Sequence, residues 1–306
     1  MQWPSLAIVF TQILLPLYFL WAPWSRASAD RLSWWLTVFY GAAYLIFIHV
    51  CGQWSWVGMA LRNIIPLLYL LSVALSWRRH RHKPWRLPAP RLRYAGHLAS
   101  VGFGMFFLVL AGLALSGKRL AAEAVDVAFP LQSGRFAVAH GGDHVLLNYH
   151  NPHPAQRYAL DLVALNDHGI RARGLMPKQL ADYAIQDAIV TSPCNGQVLA
   201  IQDGLRNNPP PATDLAHAAG NYVIVGCHGI QILLAHLSPG SIQLAQGQRV
   251  TTGTPLARVG NSGNSTEPHL HIHAVRMTGT GTSAEAVGVP LTFGGRFPIR
   301  NDVIVR

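Results

Sequence analysis

Four long apolar runs occupy the first 116 residues of the chain, and much shorter apolar runs occupy the remainder. The long runs cover residues 3–20, 33–50, 56–75 and 97–115. Each is close to the ~20 residues that an α-helix needs to cross a bilayer. Tryptophans crowd their ends, as is typical of the interface between lipid and water. The pattern predicts an α-helical membrane region with about four spans, at residues 1–116.

The rest of the chain has the pattern of a β-rich domain. Short runs such as "GQVLAIQD", "NYVIVGC" and "PHLHIHAV" are rich in Val, Ile and Leu, and Gly, Pro, Asn and Asp separate them. Residues 176–188 are predicted to form a helix, and 206–214 ("RNNPPPATD") an exposed loop. We predict a linker and first strands over 117–144, followed by a mainly-β domain over 145–306.

The distribution of charge supports a membrane location over a nucleic-acid partner. The chain has a net charge of +11, but residues 1–116 contain ten Lys or Arg and a single acid, Asp30. Residues 117–306 contain fourteen Lys or Arg and twelve acids. The loop at 77–95 has seven basic residues and no acid, and positive loops stay in the cytoplasm. We therefore expect a lipid bilayer as the partner of the apolar half, and no nucleic acid.

A cytoplasmic loop at 77–95 places everything after Gly117 outside the cytoplasm, because the fourth span must cross the bilayer. Arg26 and Arg31, in the earlier loop on the same side, agree with this topology. Cys194 and Cys227 then lie in a compartment that permits disulfides. We expect them to pair, the alternative being two buried thiols.

Histidines suggest the chemistry of the outer domain, which contains eleven of the fifteen in the chain. In "PHLHIHA", His269, His271 and His273 alternate with apolar residues, so a strand would turn all three to one face. A catalytic zinc ion takes three protein ligands and keeps one position for water. The helical zinc motif HExxH is absent. These histidines alone leave two interpretations open, a metal site and a polar sheet face.

The segment from Leu233 to Ala274 resembles zinc endopeptidases of the lysostaphin type, the M23 peptidase family. The positions that match the family pattern are Ala235, His236, Leu237, Gly247, Val250, Gly253, Gly260, Gly263, Ser265, Thr266, Pro268, His269, Leu270 and His271. Upstream, "TSPCNGQVLAIQDG" and "NYHNPHPAQRYALDLVAL" are similar to the opening strand pair and the first metal motif of the family. The resemblance covers about residues 145–275 and implies a mainly antiparallel β fold.

The resemblance also implies roles for individual residues, with Zn²⁺ as the cofactor. Asp161 and His271 would be zinc ligands, and the third would be His150 or, as the alternative, His153. The more closely spaced ligand position of other members is occupied here by Arg157, which cannot bind zinc. His236 and His269 match the two catalytic imidazoles that do not bind the metal. His140 and His144 are expected to be polar loop residues.

The function that the resemblance implies is hydrolysis of peptide bonds in the cross-links or stem peptides of bacterial peptidoglycan. The enzyme would be a multi-pass protein of the bacterial inner membrane with its C-terminal domain on the periplasmic side. The alternative is a non-hydrolytic wall-binding or regulatory module with the same fold. Two positions depart from the family: Glu267 replaces a glycine, and His273 replaces an acid. We expect Glu267 to alter access to the cleft, and His273 to contact a ligand or line the cleft.

Overall fold

A computed structural model describes residues 3–25, 28–86, 91–120, 122–279 and 285–306. The chain divides into two compact units, Met1–Leu115 and Ser116–Arg306. Parts of the two loops predicted to be cytoplasmic, Arg26 and residues 87–90, lie outside the described residues, as do residues 280–284 of the predicted β domain.

The first unit consists of helices. They are α1 (Trp3–Val9), α2 (Leu15–Trp21), α3 (Arg31–Cys51), α4 (Leu61–His80) and α5 (Arg91–Ser116), with a π-helical segment, Phe10–Leu14, joining α1 to α2. Among the described residues, three stretches are long and apolar enough to cross a membrane: Pro4–Trp24, Arg31–Cys51 and Arg93–Ser116. They coincide with the first, second and fourth predicted spans.

Helix α4 differs from the predicted third span, 56–75. It begins at Leu61 and continues to His80, so it includes Arg62 near its start and Arg78 and Arg79 near its end. These charges make it less apolar than the other three, and it is not among the stretches that qualify as spans. The Arg62 Nε donates to the carbonyl oxygen of His49 at 3.0 Å, which gives its charge a polar partner within the unit.

The second unit is mainly β, as predicted. Its described strands are β1 (Val125–Val127), β2 (Arg135–His140), β3 (Leu160–Ala164), β4 (Ile189–Thr191), β5 (Gly196–Gln202), β6 (Asn221–Cys227), β7 (Ile230–Leu237), β8 (Arg249–Val250), β9 (Pro255–Arg258), β10 (Leu270–Thr278), β11 (Glu285–Val289), β12 (Leu291–Phe293) and β13 (Val303–Val305). The main sheet runs in the order β13-β2-β3-β10-β7-β6-β5-β8, with β11 beside the far half of β10. Every pairing in that sheet is antiparallel, which confirms the predicted fold class.

Alternation along the central strands separates a core face from a polar face. On β3 and β10, Leu160, Leu162, Leu270 and Ile272 are fully buried in the main hydrophobic cluster. The intervening residues, Asp161 and His271, point to the other face because side chains alternate along a strand. Burying each Leu or Ile contributes about 1.5–3 kcal/mol to stability. The strand register that turns Asp161 and His271 to the polar face is therefore strongly favoured.

Two local predictions have different outcomes. Cys194, just before β5, and Cys227, at the end of β6, are joined by a disulfide, as expected. The helix predicted over 176–188 does not form, and that stretch contains only a 3-10 turn, Leu180–Asp182. Met176 and Asp187 have positive φ angles of 52° and 61°, a conformation that interrupts a right-handed helix.

Candidate metal centre

Asp161 is the centre of a cluster of buried imidazoles. It lies on β3, and its register partners are His271 on β10 and His140 on β2. Its carboxylate oxygens lie 3.0 Å from the Nδ1 of His271, 3.0 Å from the Nδ1 of His140 and 3.1 Å from the Nε2 of His150. The Nε2 of His269 is 3.5 Å away. Strand pairing therefore brings together groups that are up to 131 positions apart in the sequence.

The position of His150 follows from an internal hydrogen-bond network in the loop after β2. Asn148 is fully buried, and its amide Nδ2 donates to the carbonyl oxygens of Gly142, Arg157 and Ala159. Its Oδ1 accepts from the backbone N–H of His150, which holds the imidazole against Asp161. The alternative ligand, His153, lies three residues further on and is exposed. The structure thus brings His150 to Asp161.

His236 reaches the site through a break in the strand register. On β7 its neighbour Ala235 is paired with His271, so regular alternation would turn His236 to the opposite face. A register shift opposite Asn221 and Tyr222, together with a φ of 63° at His236, re-aims the side chain. Its ring centroid lies 5.7 Å from that of His271 and 4.8 Å from that of His269.

Backbone carbonyls fix the orientation of both predicted catalytic imidazoles. The Nδ1 of His236 donates to the carbonyl oxygen of Ser262 at 2.8 Å. The Nδ1 of His269 donates to the carbonyl oxygen of Glu267 at 2.9 Å. Since a carbonyl only accepts, Nδ1 carries the hydrogen in each ring, and Nε2 is the atom left for the site. The Nε2 of His269 is buried and has no hydrogen-bond partner among the described residues.

The donor set fits a zinc ion. Two groups of three side chains offer ligand atoms that lie within 4.8 Å of one another: His150, Asp161 and His271, and His236, His269 and His271. Bonds of about 2.0–2.1 Å in tetrahedral geometry place ligand atoms about 3.4 Å apart. The contacts of Asp161 with His150 and His271, at 3.1 and 3.0 Å, are close to that spacing. Two imidazoles and one carboxylate are a donor set of catalytic zinc sites.

Burial and charge move the pKa values of the cluster apart. Burial acts to raise the pKa of Asp161, but His150 and His269 outweigh it and hold that pKa well below its usual range. Burial, His269 and His271 keep the pKa of His236 well below its usual value. Burial also acts to lower the pKa of His269, yet the Asp161 carboxylate outweighs it, and the pKa is raised. The two imidazoles without a predicted metal bond therefore differ in proton affinity.

His273 contacts the predicted ligand His271. The Nε2 of His271 lies 2.9 Å from the Nδ1 of His273, and its Nδ1 faces Asp161. If Nδ1 binds a metal, Nε2 carries the hydrogen and the Nδ1 of His273 must accept it. Burial lowers the pKa of His273 to about 3, which keeps that acceptor neutral. With a metal bound, His273 would therefore orient the predicted ligand His271.

The sequence pattern did not identify two further residues of the site. His140, expected in a loop, ends strand β2 and contacts Asp161, because a bulge after Val138 brings it opposite the carboxylate. The ring of Tyr149 packs on His150 with centroids 4.0 Å apart, although the residue is half exposed. Burial and the Asp161 charge raise the pKa of Tyr149, so its hydroxyl remains a hydrogen-bond donor. Neither residue belongs to a periodic pattern. In the sequence, the position of Tyr149 next to His150 is the signal that could have identified it as part of the site.

The cleft consists of two cavities on either side of Tyr149 and Asn264, which border both. One has a volume of about 350 Å³ and is lined by His150, His236, His271 and the small residues Ala218 and Ala219. The other, of about 290 Å³, is lined by Asp161, His269 and Glu267 among others. A chain-like substrate could therefore contact both sides of the buried cluster.

A family model and several solved structures match parts of the chain. The family model described as "Peptidase family M23" matches residues 178–283. Solved structures similar to the chain include a zinc-containing peptidase from Vibrio cholerae, at 26% identity over 30% of this chain and 24% of that one, with a TM-score of 0.24. No curated protein matches the sequence.

Two further similar structures are also described as peptidases. One is a putative M23 peptidase from Pseudomonas aeruginosa, at 18% identity over 67% of this chain and 62% of that one, with a TM-score of 0.27. The other is lysostaphin from Staphylococcus simulans, at 17% identity over 45% of this chain and 44% of that one, with a TM-score of 0.28. The chain spans less than two thirds of the length of all three structures. Residues 178–283 of this protein form a peptidase family M23 domain.

Proposed function

We propose that this protein is a zinc metalloendopeptidase that hydrolyses peptide bonds in bacterial peptidoglycan. The observation that carries the proposal is a cluster of buried ligand atoms: those of His150, Asp161 and His271 lie within 4.8 Å of one another, as do those of His236, His269 and His271. A polar sheet face without a function would not explain two further features. Asn148 holds the loop residue His150 at the cluster, and a bulge in β7 turns His236 toward it.

His150, Asp161 and His271 would hold the zinc ion. Zinc in such a site polarises a substrate carbonyl and lowers the pKa of water toward neutrality. His236 and His269 lie next to His271 and are oriented by their Nδ1 hydrogen bonds. Their Nε2 atoms can take a proton from attacking water and return one to the departing amine. Imidazoles whose pKa values are shifted in opposite directions can divide these two tasks.

Tyr149 adds a donor beside the predicted ligand His150. Its hydroxyl stays protonated because burial and Asp161 raise its pKa. A donor at the border of both cavities can hydrogen-bond the carbonyl oxygen on which charge develops during hydrolysis. We assign it this supporting task.

The membrane unit supports the proposed substrate and location. Three apolar stretches suggest an anchor, and the basic loop at 77–95 would hold its side of the anchor in the cytoplasm. The M23 domain would then face the cell wall, where peptidoglycan supplies the peptide bonds. The disulfide between Cys194 and Cys227 fits an oxidising compartment.

Digestion of purified peptidoglycan tests this function. The full chain in detergent should release peptides with new amino termini, detected by mass spectrometry, while Asp161→Asn should release none. Binding to peptidoglycan without cleavage by the zinc-loaded wild type would instead support the non-hydrolytic module. A phosphatase reporter fused after Arg306 should be active only on the outer side of the membrane, and an inactive fusion would contradict the proposed topology.

A further inference from the structure

Glu267 forms a partly buried ion pair with a residue far away in the sequence. The Nη1 of Arg171 lies 2.6 Å from the Oε1 of Glu267, and the two residues are 96 positions apart. Arg171 is only 2% exposed. A guanidinium buried to this degree requires a charged or polar partner. The pair therefore fixes Glu267, at the edge of the cleft, to the segment that contains Arg171.

That segment is itself held in place. Next to Arg171, Ala172 forms a β-bridge with Tyr183, and the carbonyl oxygen of Arg171 accepts from the N–H of Ala184 at 2.9 Å. Further along, the N–H of Asp187 donates to the carbonyl oxygen of Val259 at 2.9 Å. Arg171 thus has a fixed backbone, and its side chain is a support for Glu267.

The main chain of Glu267 orients His269. Its carbonyl oxygen accepts from the Nδ1 of His269 at 2.9 Å and from the Oγ of Ser265 at 2.8 Å. The first bond requires the hydrogen to be on Nδ1, so Nε2 is the atom presented to Asp161. Rotation of the Glu267 peptide would move this acceptor away and leave only the Ser265 Oγ, 3.1 Å from Nδ1, to hold the ring in this tautomer.

We infer that the Arg171–Glu267 ion pair is a positioning device that holds His269 in its working tautomer and orientation. The expected effect on catalysis rests on the proposed function, whereas the expected effect on the His269 tautomer does not depend on activity. It also gives Glu267 a role at a position where related sequences have glycine. The expected effect of Glu267 on access to the cleft becomes secondary, since its carboxylate is directed to Arg171.

Two variants of the full chain in detergent test the inference. Arg171→Met with Glu267→Leu removes the pair without leaving a buried charge, and Glu267→Gln keeps the shape but weakens the contact. Arg173→Ala is the matched control, because Arg173 pairs with Asp182 on the same segment but is mostly exposed. The ring nitrogens of ¹⁵N-labelled His269 report the tautomer in metal-free protein at alkaline pH, where the ring is neutral.

In the double variant, we expect a smaller fraction of the Nδ1–H tautomer and a kcat lowered about 10–100-fold, with KM changed little. Glu267→Gln should show a smaller change in the same direction, and Arg173→Ala should match the wild type. An unaltered tautomer in the double variant overturns the inference, whatever the activity. If the double variant does not fold, an unaltered tautomer and kcat in Glu267→Gln overturn it. An altered tautomer without hydrolysis by the wild type would contradict the proposed function alone.

Discussion

Asp161 and His271 are direct register partners on neighbouring antiparallel strands, with the Oδ1 of one 3.0 Å from the Nδ1 of the other. Opposed residues of such strands have closely spaced side chains on one face, so the fold itself forms this half of the predicted metal centre. The other ligand, His150, comes from a loop that Asn148 organises. The site thus combines a rigid sheet with a loop held by one buried amide.

Replacing a predicted zinc ligand and replacing a non-ligand histidine should have different effects on zinc content. His150→Ala, Asp161→Asn and His271→Ala should each abolish stoichiometric zinc binding, because each removes one of three protein ligands. His236→Ala and His269→Ala should retain zinc but lower kcat by about 10²–10⁴-fold, as loss of proton transfer does. Metal analysis by mass spectrometry and peptide-release assays measure the two effects. His153→Ala is the control, and loss of zinc in that variant would contradict the choice of His150.

Replacing His273 should weaken zinc binding without removing a ligand. His273→Ala deletes the acceptor 2.9 Å from the Nε2 of His271, and loss of such a partner weakens metal affinity by about 10–100-fold. His273→Glu supplies the acid of related sequences and should bind zinc at least as tightly as the wild type. Competition with a chromophoric chelator measures both affinities. Equal affinities for wild type and His273→Ala would show that His273 does not orient the ligand.

The metal-free protein should lose stability as the pH falls from about 6.5 to about 4. Burial lowers the pKa of His140 to about 4 and of His273 to about 3, whereas unfolded histidine titrates near 6.5. In this range the unfolded chain binds protons that the folded chain does not, so acid favours unfolding. The raised pKa of His269 also stabilises the folded protein. This contribution is already fully present below about pH 6.5, so it does not oppose the loss of stability at lower pH.

Chemical unfolding with zinc removed, followed at several pH values, measures the effect. Each histidine that burial keeps neutral changes the free energy of unfolding by at most about 1.4 kcal/mol per pH unit. The double variant His140→Gln with His273→Gln should flatten the dependence, while His228→Gln, at an exposed position, should not. A slope that is the same in the double variant and the wild type would contradict the assignment.

The disulfide should stabilise the second unit. Cys194 and Cys227 enclose a sequence separation of 33 residues, for which the chain-entropy model gives about 3–4 kcal/mol. Replacing both with serine should lower the midpoint of denaturant unfolding, followed by the β-sheet circular dichroism of the full chain in detergent. A reducing agent should lower the wild-type midpoint in the same way and leave the double variant unchanged. Equal midpoints under all conditions would indicate that the bond contributes no stability.

Hydropathy and alternation predicted the helical region and the β-rich domain, whereas most residues of the cluster were predicted from the resemblance to the M23 family. Period-two patterning placed His269, His271 and His273 on one face, and hydropathy located three apolar stretches. The third predicted span, 56–75, corresponds only in part to α4, which begins at Leu61 and continues through Arg78 and Arg79.

Other features depend on contacts that no local pattern contains. The bulge that re-aims His236 and the contact of His140 with Asp161 arise from sheet register. The choice of His150 over His153 depends on the hydrogen bonds of Asn148. The pairing of Glu267 with Arg171 joins segments 96 residues apart, and neither charge alone indicates the other.

Zinc titration of the metal-stripped protein tests the central claim most directly. The full chain should be inactive on peptidoglycan after chelation, and peptide release should rise with added zinc to a plateau at one equivalent. His271→Ala, titrated in parallel, should remain inactive throughout. Peptide release that is undiminished after complete removal of metal, or no release by zinc-saturated wild type, would contradict a zinc peptidase built on His150, Asp161 and His271.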